Sequence, residues 1–254
     1  MRVTETEHHG QSALVIATGS AVWTYQLEAG GFSSLRDRDG AEWIGFAPGD
    51  PTTRGGAANV FRGIPNLVYP DNVGHPGHHG CRSTRDEGQG RTVIATESTD
   101  GSWAWRWTIT DEGASLDVER APTDRAYWFL YEGTPAGVFD PSTSFWGSDR
   151  EGASRAQPDI SDRSAGGGPL IRPRRWAYFG GDRSPRVLML VHETAGGEPS
   201  FLAWMHASQT DGMMVFGFGR DHADAPLPSL TGRHRFTVRF VEATDYDGIA
   251  AQTS

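Results

Sequence analysis

Short runs of apolar residues separated by turn residues dominate the chain and predict an all-β protein. Glycine, proline, aspartate and asparagine cluster between the runs, as they do in the turns that join strands. No segment has the three-to-four-residue spacing of an amphipathic helix. A dozen short strands with turns between them predict an antiparallel sandwich or barrel with little helix. The predicted strands span 13–18, 21–28, 42–46, 91–98, 103–110, 114–120, 126–133, 174–180, 186–193, 200–207, 213–220 and 233–243.

Alternation within these runs assigns side chains to the two faces of each strand. In strand 103–110 the three tryptophans Trp103, Trp105 and Trp107 share one face, and Arg106 lies on the other. An arginine there is either a solvated edge charge or a group that points into a cleft.

Two histidines fall on apolar faces. His192 shares a face with Leu188 and Leu190, and His206 shares one with Leu202 and Trp204. Such a histidine is more often a hydrogen-bonded core residue than a catalyst, although neighbouring strands could place the two side by side.

Two segments lack any strand pattern. Residues 47–90 are irregular and contain "FRGIPNLVYP" and "DNVGHPGHHGC", and residues 147–169 are polar and glycine-rich. The second segment predicts a long surface loop or lid. No linker-like break interrupts the strands elsewhere, so we expect one domain over residues 1–254.

Composition narrows the class of protein. The net charge is −9, and all 23 basic residues are arginine, which argues against a nucleic-acid partner because such binding depends on basic patches. No stretch of 18 or more apolar residues predicts a membrane span. The sequence "MRVTETEHHG" shows no signal peptide, so a cytoplasmic location is expected unless a leader has been removed. A homo-oligomer stays open.

The loop histidines could bind a metal. His75, His78 and His79, together with Asp71, offer imidazole and carboxylate ligands. Their spacing matches no zinc signature, so we expect neither a metal nor another cofactor. Cys81, the only cysteine, excludes an internal disulfide, and we expect a buried structural thiol.

Acid–base chemistry on a sugar fits the residue types better. Histidine transfers protons near neutral pH, and arginine or asparagine can neutralise a carboxylate or hold a hydroxyl. Each candidate also has a structural interpretation: a hydrogen-bonded loop for Arg62 and Asn66, an aromatic sheet pair for Tyr131, a solvated strand end for Glu132, and core packing for Trp176 and Trp204. The chain contains no G-x-S-x-G motif and no nucleotide-binding glycine loop between a strand and a helix.

The order of segments resembles that of galactose-mutarotase-like β-supersandwich proteins, including carbohydrate-active bacterial proteins related to polysaccharide lyases. The resemblance runs over residues 20–242. It rests on "YQLEAGGFSSLRDRDGAEWIGF", "FRGIPNLVYP", "HPGHHG", "WAWRWTI", "YWFLYEGTPAGVFD" and "WAYFGG". It implies an antiparallel supersandwich with a concave face that holds an oligosaccharide or polysaccharide.

A lyase that cleaves an acidic glycan by β-elimination is the first function that the resemblance implies. In that scheme Arg62 and Asn66 neutralise the carboxylate and stabilise the enolate-like intermediate. His78 or Tyr178 takes the proton, and Tyr131 or His75 protonates the leaving oxygen. Arg106 and Trp176 position the sugar.

Three alternatives stay open. An aldose epimerase needs a histidine acid and a glutamate base, for which His192 or His206 with Glu132 are the available pairs. A glycoside hydrolase needs two facing carboxylates, with Glu132 and Asp140 nearest in sequence. A non-catalytic carbohydrate-binding module needs only aromatic platforms such as Trp176 and Trp204.

Overall fold

The computed structural model describes most of the chain. The described residues are 1–46, 61, 63–68, 80–124, 126–132, 142–150, 152–155, 174–182, 184–194, 204–205, 214–219, 229–242 and 246–251. Among them, no helix is long and apolar enough to cross a membrane.

Strands account for almost all of the regular structure, as predicted. The elements are β1 (Arg2–His8), β2 (Gln11–Ala17), β3 (Ala21–Gln26), β4 (Gly31–Asp37), β5 (Asn66–Val68), β6 (Cys81–Gly88), β7 (Arg91–Ser98), β8 (Ala104–Ile109), β9 (Ala114–Arg120), β10 (Trp128–Glu132), β11 (Ser144–Ser148), β12 (Trp176–Gly181), β13 (Val187–His192), β14 (Trp204–Met205), β15 (Met214–Phe218), β16 (Arg235–Val241) and the short helix α1 (Tyr246–Ala251).

The strands form two layers. One layer is an eight-stranded antiparallel sheet in the order β11-β12-β13-β16-β9-β8-β7-β6. The other contains two four-stranded sheets, β1-β2-β3-β4 and β14-β15-β10-β5. Phe32 and Ile64 join these two sheets by reciprocal main-chain hydrogen bonds of 2.7 and 3.0 Å. The layer made of the two four-stranded sheets is called the first layer below, and the eight-stranded sheet is called the second layer.

Aromatic side chains fill the space between the layers. Phe129 of the first layer stacks on Phe236 of the second, with ring centroids 4.3 Å apart, and Phe32 meets Trp107 edge to face at 4.9 Å. Trp105 and Trp107 are fully buried, whereas Arg106 between them is exposed. The alternation read from strand 103–110 is therefore confirmed.

Two hairpins turn on pairs of residues in the left-handed region. His9 and Gly10 connect β1 to β2 with φ of 52° and 74°, and Gln89 and Gly90 connect β6 to β7 with φ of 54° and 75°. Two consecutive positive φ values define the tight turn whose twist matches that of the flanking strands, and glycine at the second position lowers its cost.

The sequence prediction missed β1, β4, β5, β6 and β11. β1 and β6 are edge strands with polar residues on both faces, so they carry little hydrophobic alternation. Assigning 81–90 to an irregular segment was wrong, because Cys81–Gly88 pairs along its whole length with Arg91–Ser98. Segment 42–46 forms only one isolated bridge, between Arg36 and Glu42. The predicted loop 147–169 begins too early, since Gly147 and Ser148 end β11; residues 156–169 lie outside the described residues.

An ion-pair cluster around the buried Arg186 and Asp37 joins the two layers at one edge of the core. Arg186, which precedes β13, contacts Asp39 at 2.7 Å, Glu242 at 3.3 Å and Asp37 at 3.5 Å. Burial alone would raise the pKa of Asp37, but hydrogen bonds from Ser184, Trp43 and main-chain amides outweigh it and lower that pKa. The Arg186 side chain is only 3% exposed.

We predict that Arg186→Ala lowers the free energy of unfolding by about 3–5 kcal/mol, because it leaves the Asp37 carboxylate buried without its cation. Arg38 also pairs with Glu242 but is 52% exposed, so Arg38→Ala should cost less than about 1 kcal/mol. Urea unfolding of both variants checks this. Equal losses from the two variants would contradict a structural role for the buried Arg186–Asp37 pair.

Candidate functional site

The outer face of the first layer carries polar side chains that are nevertheless buried. Thr24 and Gln26 of β3 point away from Trp23 and Tyr25, which belong to the core between the layers. Five residues of this layer combine a polar side chain, an outward register position and less than a tenth of their surface exposed: Gln11, Thr24, Gln26, Ser34 and Asn66. An outer sheet face normally meets solvent, so a buried polar face is a feature that needs a functional or structural reason.

Glu42 organises one end of this face. Its Oε2 accepts a hydrogen bond from the Ser34 hydroxyl at 2.5 Å. Its Oε1 accepts main-chain hydrogen bonds from Leu35, Trp43 and Ile44 at 2.9–3.1 Å. The carboxylate therefore fixes segment 42–44 beside β4.

Gln26 occupies the centre of the same face. Its Nε2 donates to the main-chain oxygen of His8 at 2.8 Å, while its buried Oε1 accepts no hydrogen bond. Gly31 lies beside it in register, and a Cβ on Gly31 would come within 2.5 Å of the Phe61 ring. Glycine is therefore required there for the aromatic ring to lie against the sheet.

Three predicted substrate-binding residues occupy one face of the sheet β14-β15-β10-β5. Trp204 pairs with Val215, and Val215 pairs with Glu132, so these main-chain positions form one row across three strands. Asn66 pairs with Leu130, two residues from Glu132, and directly opposed or alternate positions share a face.

Tyr131 lies on the opposite side of that sheet. It belongs to the core between the layers, and its hydroxyl donates a hydrogen bond to the main-chain oxygen of Trp43. Burial raises the pKa of the Tyr131 phenol well above its ordinary value. These features give Tyr131 a structural role and do not support the proton-donor role assigned to it from the sequence.

Tyr178 and Trp176 lie on the outer face of the second layer, on β12. The two rings stack with centroids 6.2 Å apart, and both side chains are buried in a second hydrophobic cluster with Met189 and Ile249. The Tyr178 ring packs over Gly147, where a Cβ would approach its hydroxyl to 2.3 Å. Tyr178 is therefore separated from Tyr131 by the whole second layer.

Arg106 occupies the exposed outer face of the second layer. Its Nε donates to Glu119 at 2.7 Å, and it lies on β8, four strands away from β12 in the sheet order. The described residues thus do not bring Arg106, Tyr131 and Tyr178 around one point. Arg62, His75, His78 and His206, like Asp71, His79 and Asp140, lie outside the described residues, so their roles stay predictions.

His192, predicted as a substrate-binding residue and as a candidate epimerase acid, is a buried core residue, which is the structural interpretation of its apolar strand face. It stacks on Phe236 with centroids 4.7 Å apart and lies 5.3 Å from Phe218 of the other layer. Its Nε2 lies 2.9 Å from Nδ1 of His234, whose Nε2 donates to the main-chain oxygen of Thr231 at 3.1 Å. The contact between His192 and His234 was not predicted from the sequence. The only sequence feature that pointed to His234 is its place at the start of the predicted strand 233–243.

The pKa values of this histidine pair are lowered. Burial, followed by the neighbouring charge of His234, lowers the pKa of His192 to about 3. Burial also lowers the pKa of His234, against a smaller opposite effect of its hydrogen bond to Thr231. Both imidazoles are therefore neutral at pH 7.

Cys81 is buried, as expected for a structural thiol. Burial, with a smaller contribution from Asp100, raises the pKa of its thiol to about 12. Among the described residues, no group of three or more His, Cys, Asp or Glu side chains has the arrangement of a metal site.

Comparison with solved structures identifies the fold. The structure of HI1317 matches with a TM-score of 0.60 at 12% identity, covering 95% of this chain and 100% of that chain. A candidate mutarotase, YeaD, from Salmonella typhimurium matches with a TM-score of 0.57 at 12% identity, covering 94% and 93%. A galactose mutarotase-like protein from Lactobacillus casei gives 0.51 at 11% identity, covering 90% and 100%.

The chain therefore has the galactose-mutarotase-like β-sandwich fold. No protein-family model and no curated protein matches the sequence. At these identities the likeness defines the class of fold alone.

We predict that stability falls as the pH drops below about 6.5, because the unfolded chain protonates histidine there while folded His192 stays neutral. Each such group contributes a slope of about 1.4 kcal/mol per pH unit. Urea unfolding between pH 7 and 5 should show this slope. His192→Gln should flatten it, and an unchanged slope in that variant would contradict the assignment.

Proposed function

We propose that the protein binds a carbohydrate on the outer face of its first layer and transforms it by acid–base chemistry. The observation that carries the proposal is the shared face of Asn66, Glu132 and Trp204 on adjacent strands. An amide that can hold hydroxyls, a carboxylate and an aromatic platform are the groups that a sugar site needs.

The buried polar character of the neighbouring sheet β1-β2-β3-β4 supports the same location. Thr24, Gln26 and Ser34 extend a row of hydroxyl and amide groups along the first layer. Sugars present many hydroxyls, and buried donors and acceptors aimed at them discriminate strongly between isomers. The Oε1 of Gln26, buried on this face, accepts no hydrogen bond within the protein.

We infer interconversion of the two anomers of an aldose, that is epimerisation at the anomeric carbon, as the reaction that fits best. Glu132 would take the proton of the anomeric hydroxyl while an imidazole protonates the ring oxygen. The bond from the ring oxygen to the anomeric carbon then breaks, the carbonyl rotates, and the reverse transfers close the ring. His206 is the candidate acid, because it follows β14 directly in the chain; His75 and His78 follow β5.

β-Elimination on an acidic glycan is the second candidate, and Asn66 is the observation that favours it. An amide beside the substrate carboxylate would help to neutralise it, together with Arg62. The burial of Tyr131 and Tyr178 in two separate clusters removes the phenols from that scheme, so His75 or His78 would have to transfer both protons. Elimination therefore fits the described residues less well than anomer interconversion does.

We predict that Glu132→Gln lowers the rate of anomer interconversion about 100-fold or more, because it removes the general base. Polarimetry or exchange NMR on a panel of aldoses and uronic acids measures that rate. Arg120→Gln is the matched control, since Arg120 pairs with Glu97 on the exposed outer face of the second layer, and its activity should equal that of the unmodified protein.

The same panel separates the reactions. An increase in ultraviolet absorbance on acidic glycans would indicate an unsaturated uronate and assign elimination. New reducing ends without that absorbance would assign hydrolysis. Full anomerase activity in Glu132→Gln would exclude Glu132 as the base.

A further inference from the structure

His8 lies on the outer face of the first layer, at the turn that joins β1 to β2. It pairs in register with Gln11, one of the buried polar residues of that face, and directly paired residues share a face. The Gln26 amide donates to the main-chain oxygen of His8 at 2.8 Å and fixes the turn against β3. The N-terminal strand therefore adds an imidazole to the proposed carbohydrate face.

Ser33 holds the His8 ring in one orientation. The Ser33 hydroxyl lies 2.7 Å from Nδ1 of His8, and Ser33 is 2% exposed. The register shift between Thr24 and Tyr25 makes Ser33 the extra residue of a bulge in β4. Bulges re-aim side chains and are frequent beside functional sites. The bulge thus turns a serine of β4 towards a ring that comes from β1.

The second ring nitrogen of His8 is available to a ligand. Among the described residues, Nε2 of His8 makes no hydrogen bond, and the side chain is only partly buried. Burial and, second, the charge of His9 lower the pKa of His8, so the ring is neutral at pH 7. Nε2 is then a donor or an acceptor according to the tautomer, and a sugar hydroxyl can satisfy either.

Aromatic rings connect this turn to the segment that enters β5. The His9 ring centroid lies 5.0 Å from that of Phe46, which lies 5.6 Å from that of Phe61. The Phe61 ring packs on Gly63, where a Cβ would come within 2.6 Å of it. Asn66 follows three residues later at the start of β5. The His8 turn and the strand of Asn66 therefore belong to one continuous part of the first layer.

His8 and the predicted base Glu132 lie at opposite ends of this part of the face. β4 carries Ser33 and is joined by the Phe32–Ile64 bridge to the segment that becomes β5. β5 in turn pairs with β10, on which Glu132 lies. Neighbouring strands stand about 4.8 Å apart, so the main chains of β4 and β10 are roughly 10 Å apart. A sugar whose anomeric carbon faces Glu132 would direct its far hydroxyls towards His8.

We propose that His8, oriented by Ser33, binds a hydroxyl group at the non-reacting end of the sugar and so determines which aldose the protein accepts. The inference rests on the proposed function, because it needs a sugar on the outer face of the first layer. His8 is a binding residue and not the acid of the reaction, since it lies at the end away from Glu132. The substrate class is an aldose with a free hydroxyl at that end, and a sugar lacking it leaves the His8 nitrogen unpaired.

Steady-state anomer interconversion by His8→Ala tests the proposal. KM should rise about 10-fold with kcat nearly unchanged, because the lost hydrogen bond is made equally in the ground state and the transition state. Ser33→Ala should raise KM less, and the double variant should equal His8→Ala, since Ser33 acts only through the ring. The matched control is His9→Asn on the same turn, where asparagine tolerates the φ of 52°; its KM should equal that of the unmodified protein.

Monodeoxy analogues of the aldose that reacts fastest identify the bound hydroxyl. For one analogue the unmodified protein should lose about 10-fold in kcat/KM, whereas His8→Ala should lose nothing further. Circular dichroism establishes that each variant is folded. An unchanged KM in His8→Ala, or losses that multiply for every analogue, would overturn the proposal.

Failure of this inference is distinguishable from failure of the proposed function. Full activity in Glu132→Gln beside a raised KM in His8→Ala would exclude Glu132 as the base and retain the His8 contact. Lost activity in Glu132→Gln beside an unaltered His8→Ala would retain the reaction and overturn the contact. If no aldose is interconverted and none shifts the His8 nitrogens in histidine-selective ¹⁵N NMR, both are overturned.

Discussion

Aromatic packing between the two layers is the constraint on which the rest of the structure depends. Phe129 against Phe236 and Phe32 against Trp107 fix which face of each strand points inward. Because side chains alternate along a strand, fixing the inward set also fixes the outward set. Tyr131 is thereby committed to the core, while its neighbour Glu132 occupies a position on the outer face.

This constraint explains how much of the fold could be read from the sequence. Strands with strong alternation were found almost to the residue: 91–98 and 114–120 coincide with β7 and β9. Edge strands such as β1 and β6 were missed because their polar residues face solvent on both sides, and no hydrophobic period marks them. Pairing with a neighbour, which a single sequence does not display, makes them strands.

The candidate site was predictable in residue type and less so in geometry. Asn66, Glu132 and Trp204 were chosen for their chemistry, and the register places them on one face. Tyr131 and Tyr178 were chosen for the same reason, but neither lies on that face. Tyr131 points inward from β10 into the core between the layers, and Tyr178 is buried on the outer side of β12 in the second hydrophobic cluster. Thr24 and Gln26 were overlooked although they alternate with Trp23 and Tyr25, because a polar residue in a strand suggests solvent rather than a buried outer face.

The proposed carbohydrate face lies outside the first layer. Hydrogen–deuterium exchange with the aldose or uronate that most raises thermal stability tests the location of the sugar site most directly. The account predicts protection of amides in β5, β10, β14 and β15, with none in β6 to β9. Protection confined to β6–β9 would contradict it.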